Sequence, residues 1–111
     1  MKYNKILLKL SGEALMGPDS FGYNKETVHK ITDEIVNLHK TGVKVAIVVG
    51  GGNICRGKQI VSHGLDGASA DYMGMLATIM NGIYLQDILK LKGVDNRVMT
   101  AIHINQVCEP F

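Results

Sequence analysis

The chain has 111 residues, 46% of them hydrophobic and 20% charged, and its formal net charge is +2. This length suits one compact domain, and the apolar content is too high for a disordered chain. A weak net charge without a long basic run gives no support for nucleic-acid binding, and the apolar run Ile6–Leu8 is too short for a signal peptide or a membrane span.

The first part of the chain predicts one strand and one helix. The mostly apolar run Lys5–Leu10 predicts a buried strand, which ends at Ser11 and Gly12. After a loop, Asn24 suits a helix N-cap, and Gly42 suits the position just beyond a helix C-terminus. Apolar side chains recur between them at helical spacing: Val28, Ile31, Ile35 and Leu38.

The remainder predicts two further strands and a long helix. Residues Val43–Val49 are β-branched and nearly all apolar, which is typical of a central strand in a parallel sheet. A helix is predicted over Ala70–Leu91 and a third strand over Arg97–Ile102. The alternation of strands and helices predicts a layered α/β fold with parallel strands. Three methionines on the long helix are expected to pack in the core: Met73, Met75 and Met80.

Glycine-rich turns follow the first two predicted strands, at Ser11-Gly12 and at Gly50–Asn53. The carboxyl ends of parallel strands lie at one edge of a sheet, where open α/β sheets bind ligands. Consecutive glycines allow successive backbone N–H groups to point into one concavity, and such a concavity binds phosphate oxygens. The alternative is a tight turn that only the chain path requires. Neither GxxxxGK[ST] nor a helix-opening GxGxxG occurs in the sequence.

Polar residues near these turns are candidate ligand contacts. Lys9 ends an otherwise apolar strand, so its ammonium lies either at a solvated sheet end or in the site. Arg56 either holds a phosphate with its planar guanidinium or is an ordinary surface residue. Asp71 starts the long helix, where the helix dipole favours a carboxylate whatever its function. Ser11 is expected to help hold phosphate through its hydroxyl or its N–H.

Cysteine and histidine spacing predicts neither a metal site nor a nucleophile. Cys55 and Cys108 form no CxxC pair, and we interpret them as reduced thiols. No GxSxG turn is present. Four histidines lack metal-ligand spacing and are interpreted as surface or loop residues: His29, His39, His63 and His103.

Three segments, KILLKLSGEAL, VVGGGNICRG and DYMGMLATIMNG, resemble successive motifs of one enzyme family. They are similar to motifs of the bacterial uridylate kinases, which belong to the amino-acid-kinase superfamily. The first two are shared with superfamily kinases that act on carbamate, aspartate or acetylglutamate, whereas the third is much narrower. The resemblance implies a three-layer αβα sandwich with a mainly parallel sheet. Family members are much longer, so residues 1–111 would form a single partial domain, the N-terminal half of that fold.

The resemblance implies transfer of the γ-phosphoryl group of ATP to UMP, which gives UDP and ADP in pyrimidine nucleotide biosynthesis. Gly51 would contact UMP, and Asp71 would accept hydrogen bonds from the UMP ribose. No general base is required, because the second pKa of a phosphate monoester is about 6. The Lys9 ammonium would lie on the transferred group, and the ATP-binding residues would be Lys9, Leu10, Ser11, Gly12, Gly52 and Arg56.

The resemblance also implies partners and regulation. Mg²⁺ would arrive with ATP, and no metal site of the protein itself is predicted. In some family members one loop takes part in activation by GTP, and the matching residues here are Gly17, Pro18, Asp19, Ser20, Phe21 and Gly22. Inhibition by UTP, a homohexamer and a cytoplasmic location are further implications, and no nucleic acid or membrane is expected as a partner.

Two other functions stay open at this point. One is a sister kinase of the superfamily with a carboxylate or carbamate acceptor. The other is a non-catalytic nucleotide-binding module that keeps the fold. Because half of each nucleotide site would lie outside these residues, we expect the 111-residue chain alone not to convert UMP.

Overall fold

The structure is a computed structural model, and it describes residues 3–56, 62–100 and 108–110. The strands are β1 (Lys5–Leu10), β2 (Lys44–Val49), β3 (Met99–Thr100) and β4 (Glu109–Pro110), and the helices are α1 (Gly12–Met16), α2 (Lys25–Lys40) and α3 (Gly67–Leu91). The predicted strand Arg97–Ile102 is thus confirmed only at Met99 and Thr100, because Arg97 and Val98 precede the strand. Its last two residues, and likewise His103, lie outside the described residues. In the described parts of the chain, no helix is both long and apolar enough to cross a bilayer.

The ends of α2 follow from local chemistry. The Asn24 side-chain oxygen accepts a hydrogen bond from the Thr27 N–H at 2.9 Å, as expected of an N-cap. At the other end Thr41 caps the helix, and Gly42 follows with a φ of 92°. The predicted helix boundaries are confirmed.

β1 and β2 form a parallel pair, and its register determines where the glycine-rich turns lie. Lys5 is the partner of Lys44, and Leu10 is the partner of Val49. Both strands therefore end at the same level, and the Gly50 N–H donates to the Leu10 carbonyl at 2.9 Å, one step beyond the ladder. β3 and β4 form a second, short parallel pair.

One face of the β1–β2 pair carries both long helices. Apolar side chains from this face pack on two neighbouring clusters: Leu15, Val28 and Leu85 form one cluster, and Ile35, Val36 and Leu89 form the other. The clusters combine residues of α1, α2 and α3. The apolar side chains at helical spacing in α2 therefore pack in one core with every second side chain of β1 and β2. The α/β class and the parallel sheet are confirmed.

The opposite face of the pair is exposed. Leu7 on β1 is 58% exposed and Val48 on β2 is 55% exposed. Successive side chains of a strand point to opposite faces, and in the described chain helices cover only one of them. The expectation that these strands are buried is therefore wrong for half of their side chains.

The face of α3 that packs in the core differs from the predicted one. Met73, Met75 and Met80 are 42%, 47% and 51% exposed, so their predicted core packing is wrong. The buried positions are Ala70, Ala77, Ile79, Asn81, Leu85 and Leu89. Apolar residues surround the first half of α3 on nearly all sides, so periodicity alone does not select a face. Small residues select it instead, because they allow the helix to approach a glycine turn closely.

Candidate functional site

The two glycine-rich turns lie against each other at the carboxyl edge of β1 and β2. A Cβ added to Gly12 would collide with the Gly52 amide nitrogen and would lie 2.8 Å from the Gly51 carbonyl carbon. Both atoms belong to one peptide bond of the second turn, which cannot give way as a flexible side chain can, so only glycine fits at residue 12. The expectation that both turns share one edge of the sheet is confirmed.

The second turn also lies against α3. A Cβ added to Gly51 would lie 2.8 Å from the Ala77 Cβ and 2.9 Å from the Thr78 nitrogen. At Gly50 the nearest atom to an added Cβ would be the Gly12 nitrogen at 3.5 Å, an ordinary van der Waals distance. The turn is therefore enclosed between the start of α1 and the middle of α3, and space requires glycine at residues 12 and 51 but not at 50.

The carbonyl groups of the second turn all accept hydrogen bonds within the protein. The Gly50 carbonyl accepts from Asn81 Nδ2 (2.7 Å), and the Gly51 carbonyl accepts from the N–H groups of Ile54 and Cys55 (3.0 Å each). The Gly52 carbonyl accepts from Arg56 Nε (3.3 Å), and the Asn53 carbonyl accepts from the Gly22 N–H (2.8 Å). Within the described residues, by contrast, the N–H groups of Gly51 and Gly52 have no acceptor. The turn thus offers donors and no acceptors, which is the polarity that a phosphate group requires.

Two buried asparagines hold this turn. Asn53 is 1% exposed and Asn81 is 0% exposed. Asn81 Nδ2 donates to Asn53 Oδ1 at 2.7 Å, and the Tyr23 hydroxyl donates to Asn81 Oδ1 at 2.6 Å. Burial, and to a smaller extent the neighbouring Tyr84, raises the pKa of Tyr23, so this hydroxyl stays a donor. The sequence contains one clue to the contact: an asparagine within an apolar helix needs a buried partner.

A salt bridge places Arg56 over the turn. Its Nη2 lies 3.6 Å from Glu13 Oε1, both side chains are about half exposed, and its Nε donates to the Gly52 carbonyl. The Glu13 carboxylate also lies against Gly52, where an added Cβ would overlap it. Sequence reasoning missed Glu13, since an acidic residue in the first turn of a helix has a sufficient explanation in the helix dipole. An anionic ligand on the turn would compete with Glu13 for the guanidinium.

A cavity of about 400 Å³ opens beside the turn. Its walls are mostly apolar, with a guanidinium, an imidazole and a thiol among them: Ile54, Cys55, Arg56, His63, Met73, Leu76, Ala77 and Met80. Two of the methionines expected in the core therefore line a cavity next to the glycine turn. The cavity is therefore mainly apolar, and the Arg56 guanidinium, which donates to the Gly52 carbonyl, forms part of its wall.

The first turn has a different local structure from the one expected. Ser11 is the N-cap of α1, and its Oγ accepts from the Ala14 N–H at 3.3 Å. The hydroxyl expected to help hold phosphate therefore already has a structural hydrogen bond. Lys9 is exposed on the face of β1 that lies opposite the helices, and Leu10 next to it is half-buried. The Lys9 side chain is thus open to solvent, and its expected contact with the transferred group stays a prediction.

Asp71 lies apart from the glycine turn. Asp71 and Ala77 are six residues apart on α3, which is about 9 Å along the axis and about 120° around it. Asp71 is exposed, and its side of the helix differs from the side that contacts Gly51. The structure thus brings together Gly12, Gly51, Gly52 and Arg56, whereas the role expected for Asp71 stays a prediction.

The loop Gly17–Gly22 is attached to the second turn at its last residue. The Gly22 N–H donates to the Asn53 carbonyl at 2.8 Å, and Asn53 Nδ2 donates to the Gly22 carbonyl at 3.0 Å. Within the loop, Asp19 accepts from Asn24 Nδ2 at 3.1 Å and Phe21 is 65% exposed. One buried asparagine therefore connects this loop to the candidate phosphate site.

The described residues contain no group of three or more acidic, histidine or cysteine side chains placed to hold a metal ion. That the protein has no metal site of its own stays a prediction. Cys55 and Cys108 are both free thiols.

Comparison with known proteins identifies the family of this chain. The profile of the amino acid kinase family matches residues 4–110. The chain belongs to the amino acid kinase family. It is 48% identical over 110 residues to a uridylate kinase of Dichelobacter nodosus, a match that covers 99% of this chain and 46% of that protein. The expected resemblance to bacterial uridylate kinases is confirmed.

Comparison with solved structures supports the same family assignment. The UMP kinase of Bacillus anthracis superposes on this amino acid kinase chain with a TM-score of 0.93 at 39% identity, over 100% of this chain and 46% of the other. The UMP kinase of Ureaplasma parvum gives a TM-score of 0.89 at 33% identity, over 100% of this chain and 47% of the other. The chain spans about half the length of the relatives that it matches.

Proposed function

We propose that this chain supplies the phosphate-binding part of a UMP kinase, which transfers the γ-phosphoryl group of MgATP to UMP. One observation carries the proposal. Two glycine turns meet at the sheet edge, the N–H groups of Gly51 and Gly52 have no acceptor within the described residues, and Arg56 lies over them. The similarity to proteins named uridylate kinase and UMP kinase supports the choice of acceptor.

The chemistry of the transfer needs no general base. A phosphate oxygen of UMP attacks the γ-phosphorus, a new P–O bond forms, and the bond to the bridging oxygen breaks with its electron pair leaving on ADP. With a second pKa of about 6, the attacking phosphate is already largely ionised at neutral pH. The protein must therefore align two anions and neutralise the charge that spreads over the transferred group.

The proposed roles follow this requirement. Lys9 would neutralise charge on the transferred group, and Arg56 would exchange Glu13 for a nucleotide phosphate. Gly51 would contact UMP through its backbone, and Asp71 would bind the UMP ribose. The remaining ATP contacts would come from backbone or hydroxyl groups of Leu10, Ser11, Gly12 and Gly52.

Regulation and assembly belong to the same proposal and rest on the family resemblance. GTP would act through the loop Gly17–Gly22, and UTP would inhibit. The complete enzyme would be a cytoplasmic homohexamer in pyrimidine nucleotide biosynthesis. The double hydrogen bond between Gly22 and Asn53 gives the loop a direct contact with the glycine turn.

A chimera tests the proposed function. Residues 1–111 replace the matched part of the Dichelobacter nodosus uridylate kinase, and ATP-dependent formation of UDP from UMP is followed by a coupled assay. We expect UMP to be converted by the chimera and not by the 111-residue chain alone. An inactive, folded chimera, or one that prefers acetylglutamate, aspartate or carbamate as acceptor, would overturn the proposal. UDP formation by the chain alone would contradict the expected inactivity of the isolated part.

Two lysines of β1 provide a matched pair in this assay. Lys9 and Lys5 lie on the same exposed face of one strand, with Lys5 at the opposite end, about 13 Å from Lys9. Lys9→Ala should lower kcat by about 100-fold or more, because a preorganised charge on the transferred group is lost. Lys5→Ala should leave kcat unchanged. Equal kcat values for Lys9→Ala and the parent would remove Lys9 from the mechanism.

A further inference from the structure

Asn81 is an unusual residue for its position. It lies in the middle of α3, is 0% exposed, and has apolar neighbours along the helix. A buried amide is costly unless each of its polar atoms has a partner. Asn81 meets this condition, since Nδ2 donates to the Gly50 carbonyl and to Asn53 Oδ1, both at 2.7 Å, and Oδ1 accepts from the Tyr23 hydroxyl.

These partners lie at the two ends of the second glycine turn. The carbonyl of Gly50 opens the turn and the side chain of Asn53 closes it, so one planar amide group fixes both ends. One helical turn earlier on the same side of α3, Ala77 contacts Gly51 between them. Two residues of α3 thus contact the turn at its beginning, its middle and its end.

We propose that Asn81 is a positioning residue for phosphate binding, which acts by fixing the orientation of the Gly51 and Gly52 N–H groups. The inference rests on the proposed function for its consequence in catalysis. It predicts that loss of the amide reorients the turn even when the fold is retained. A purely structural role for Asn81 predicts lower stability with an unchanged turn in the molecules that are folded.

The first experiment observes the turn directly in the 111-residue chain. Asn81→Ala is the main variant, and Tyr23→Phe is a milder one that removes only the hydroxyl donating to Asn81. Tyr84→Phe is the matched control, because Tyr84 stacks on Tyr23 at 3.7 Å and keeps its ring in this variant. We expect ¹H–¹⁵N shifts of Gly51 and Gly52 to change most in Asn81→Ala, less in Tyr23→Phe, and least in Tyr84→Phe.

The second experiment measures the catalytic consequence in the chimera, at a temperature where every variant is fully folded. Asn81→Ala should lower kcat/KM for UMP by about 10- to 100-fold, the effect expected of misplacing reacting groups by a fraction of an ångström to one ångström. Tyr23→Phe should lower it by about two- to tenfold, the loss expected for one hydrogen bond. Tyr84→Phe should leave it unchanged.

The outcomes separate this inference from the proposed function. An active parent chimera with folded Asn81→Ala and Tyr23→Phe variants of unchanged kcat/KM would overturn the inference. Unchanged Gly51 and Gly52 shifts in both variants would overturn it as well. If Asn81→Ala does not fold, Tyr23→Phe decides by the same two measurements. An inactive parent chimera would overturn the proposed function alone, and the glycine shifts would then decide the inference.

Discussion

Polar side chains attach α3 to the rest of the molecule at two places of opposite character. Near the candidate site, the neutral and fully buried Asn81 bonds to the glycine turn. At the C-terminal end of the helix, the Lys92 ammonium donates to Thr32 Oγ1 at 2.5 Å and to Asp33 Oδ1 at 2.7 Å. The Asp33 side chain is 66% exposed and the Lys92 side chain 17%, so this second attachment is partly open to solvent.

The difference shows how each attachment depends on its surroundings. Hydrogen bonds between buried amides are not screened by salt and do not titrate, but their loss leaves buried groups without partners. A partly exposed ion pair contributes little net stability and responds to salt and pH. The attachment beside the candidate site is thus the stronger one and the less sensitive to solution conditions.

The largest expected effect is on the buried attachment. Asn81→Ala should lower the free energy of unfolding by about 2–4 kcal/mol, because the Gly50 carbonyl and the Asn53 amide lose their buried partner. Lys92→Met, which keeps the apolar stem, should cost about 1 kcal/mol. Urea unfolding at low and high salt measures both, and only the Lys92 effect should shrink with salt. A larger loss for Lys92→Met than for Asn81→Ala would reverse the comparison.

The next effect concerns the space around the turns. Gly51→Ala and Gly12→Ala should each lower the free energy of unfolding by about 1–3 kcal/mol or more, because the added methyl meets backbone or packed helix atoms. Gly50→Ala is the control within the same turn and should change stability by less than about 1 kcal/mol. Thermal unfolding of the three variants measures this. Equal losses at all three positions would show that the glycines serve flexibility rather than close approach.

Local signals predicted the parts of the fold that depend on neighbouring residues. β1 ends where Ser11 and Gly12 follow an apolar run, and α2 begins at the cap that Asn24 provides. The meeting of the two glycine turns was also predictable, since parallel strands of equal register end at one edge.

Tertiary contacts determine the features that sequence patterns did not predict. The buried face of α3 follows from the contact of Ala77 with Gly51, and an almost uniformly apolar helix gives no sign of it. The contact of Asn81 with Asn53 joins residues that are 28 positions apart in the sequence. The salt bridge between Glu13 and Arg56 likewise joins residues that are far apart in the sequence. Lys9 left two alternatives because strand alternation fixes its face only after the helices are placed.

The smallest expected effect, and the most specific to one attachment, is the pH dependence of the Lys92–Asp33 pair. The hydrogen bond from Lys92, with further help from its charge and that of His29, holds the pKa of Asp33 below its ordinary value. A lowered carboxyl pKa stabilises the folded state above the ordinary pKa of about 3.9, and this stabilisation disappears as the pH falls through the lowered value.

Asp33→Asn should therefore lower the urea midpoint slightly at pH 7, and the difference from the parent should close below about pH 4. Glu34→Gln, which removes the adjacent exposed carboxylate of the same helix, is the matched control. Asn81→Ala should keep its full difference from the parent throughout this range, because the groups that it affects are neutral at every pH tested. A gap for Asp33→Asn that stays constant down to pH 2.5 would mean that the Lys92–Asp33 attachment is not electrostatic, and the contrast between the two attachments of α3 would be lost.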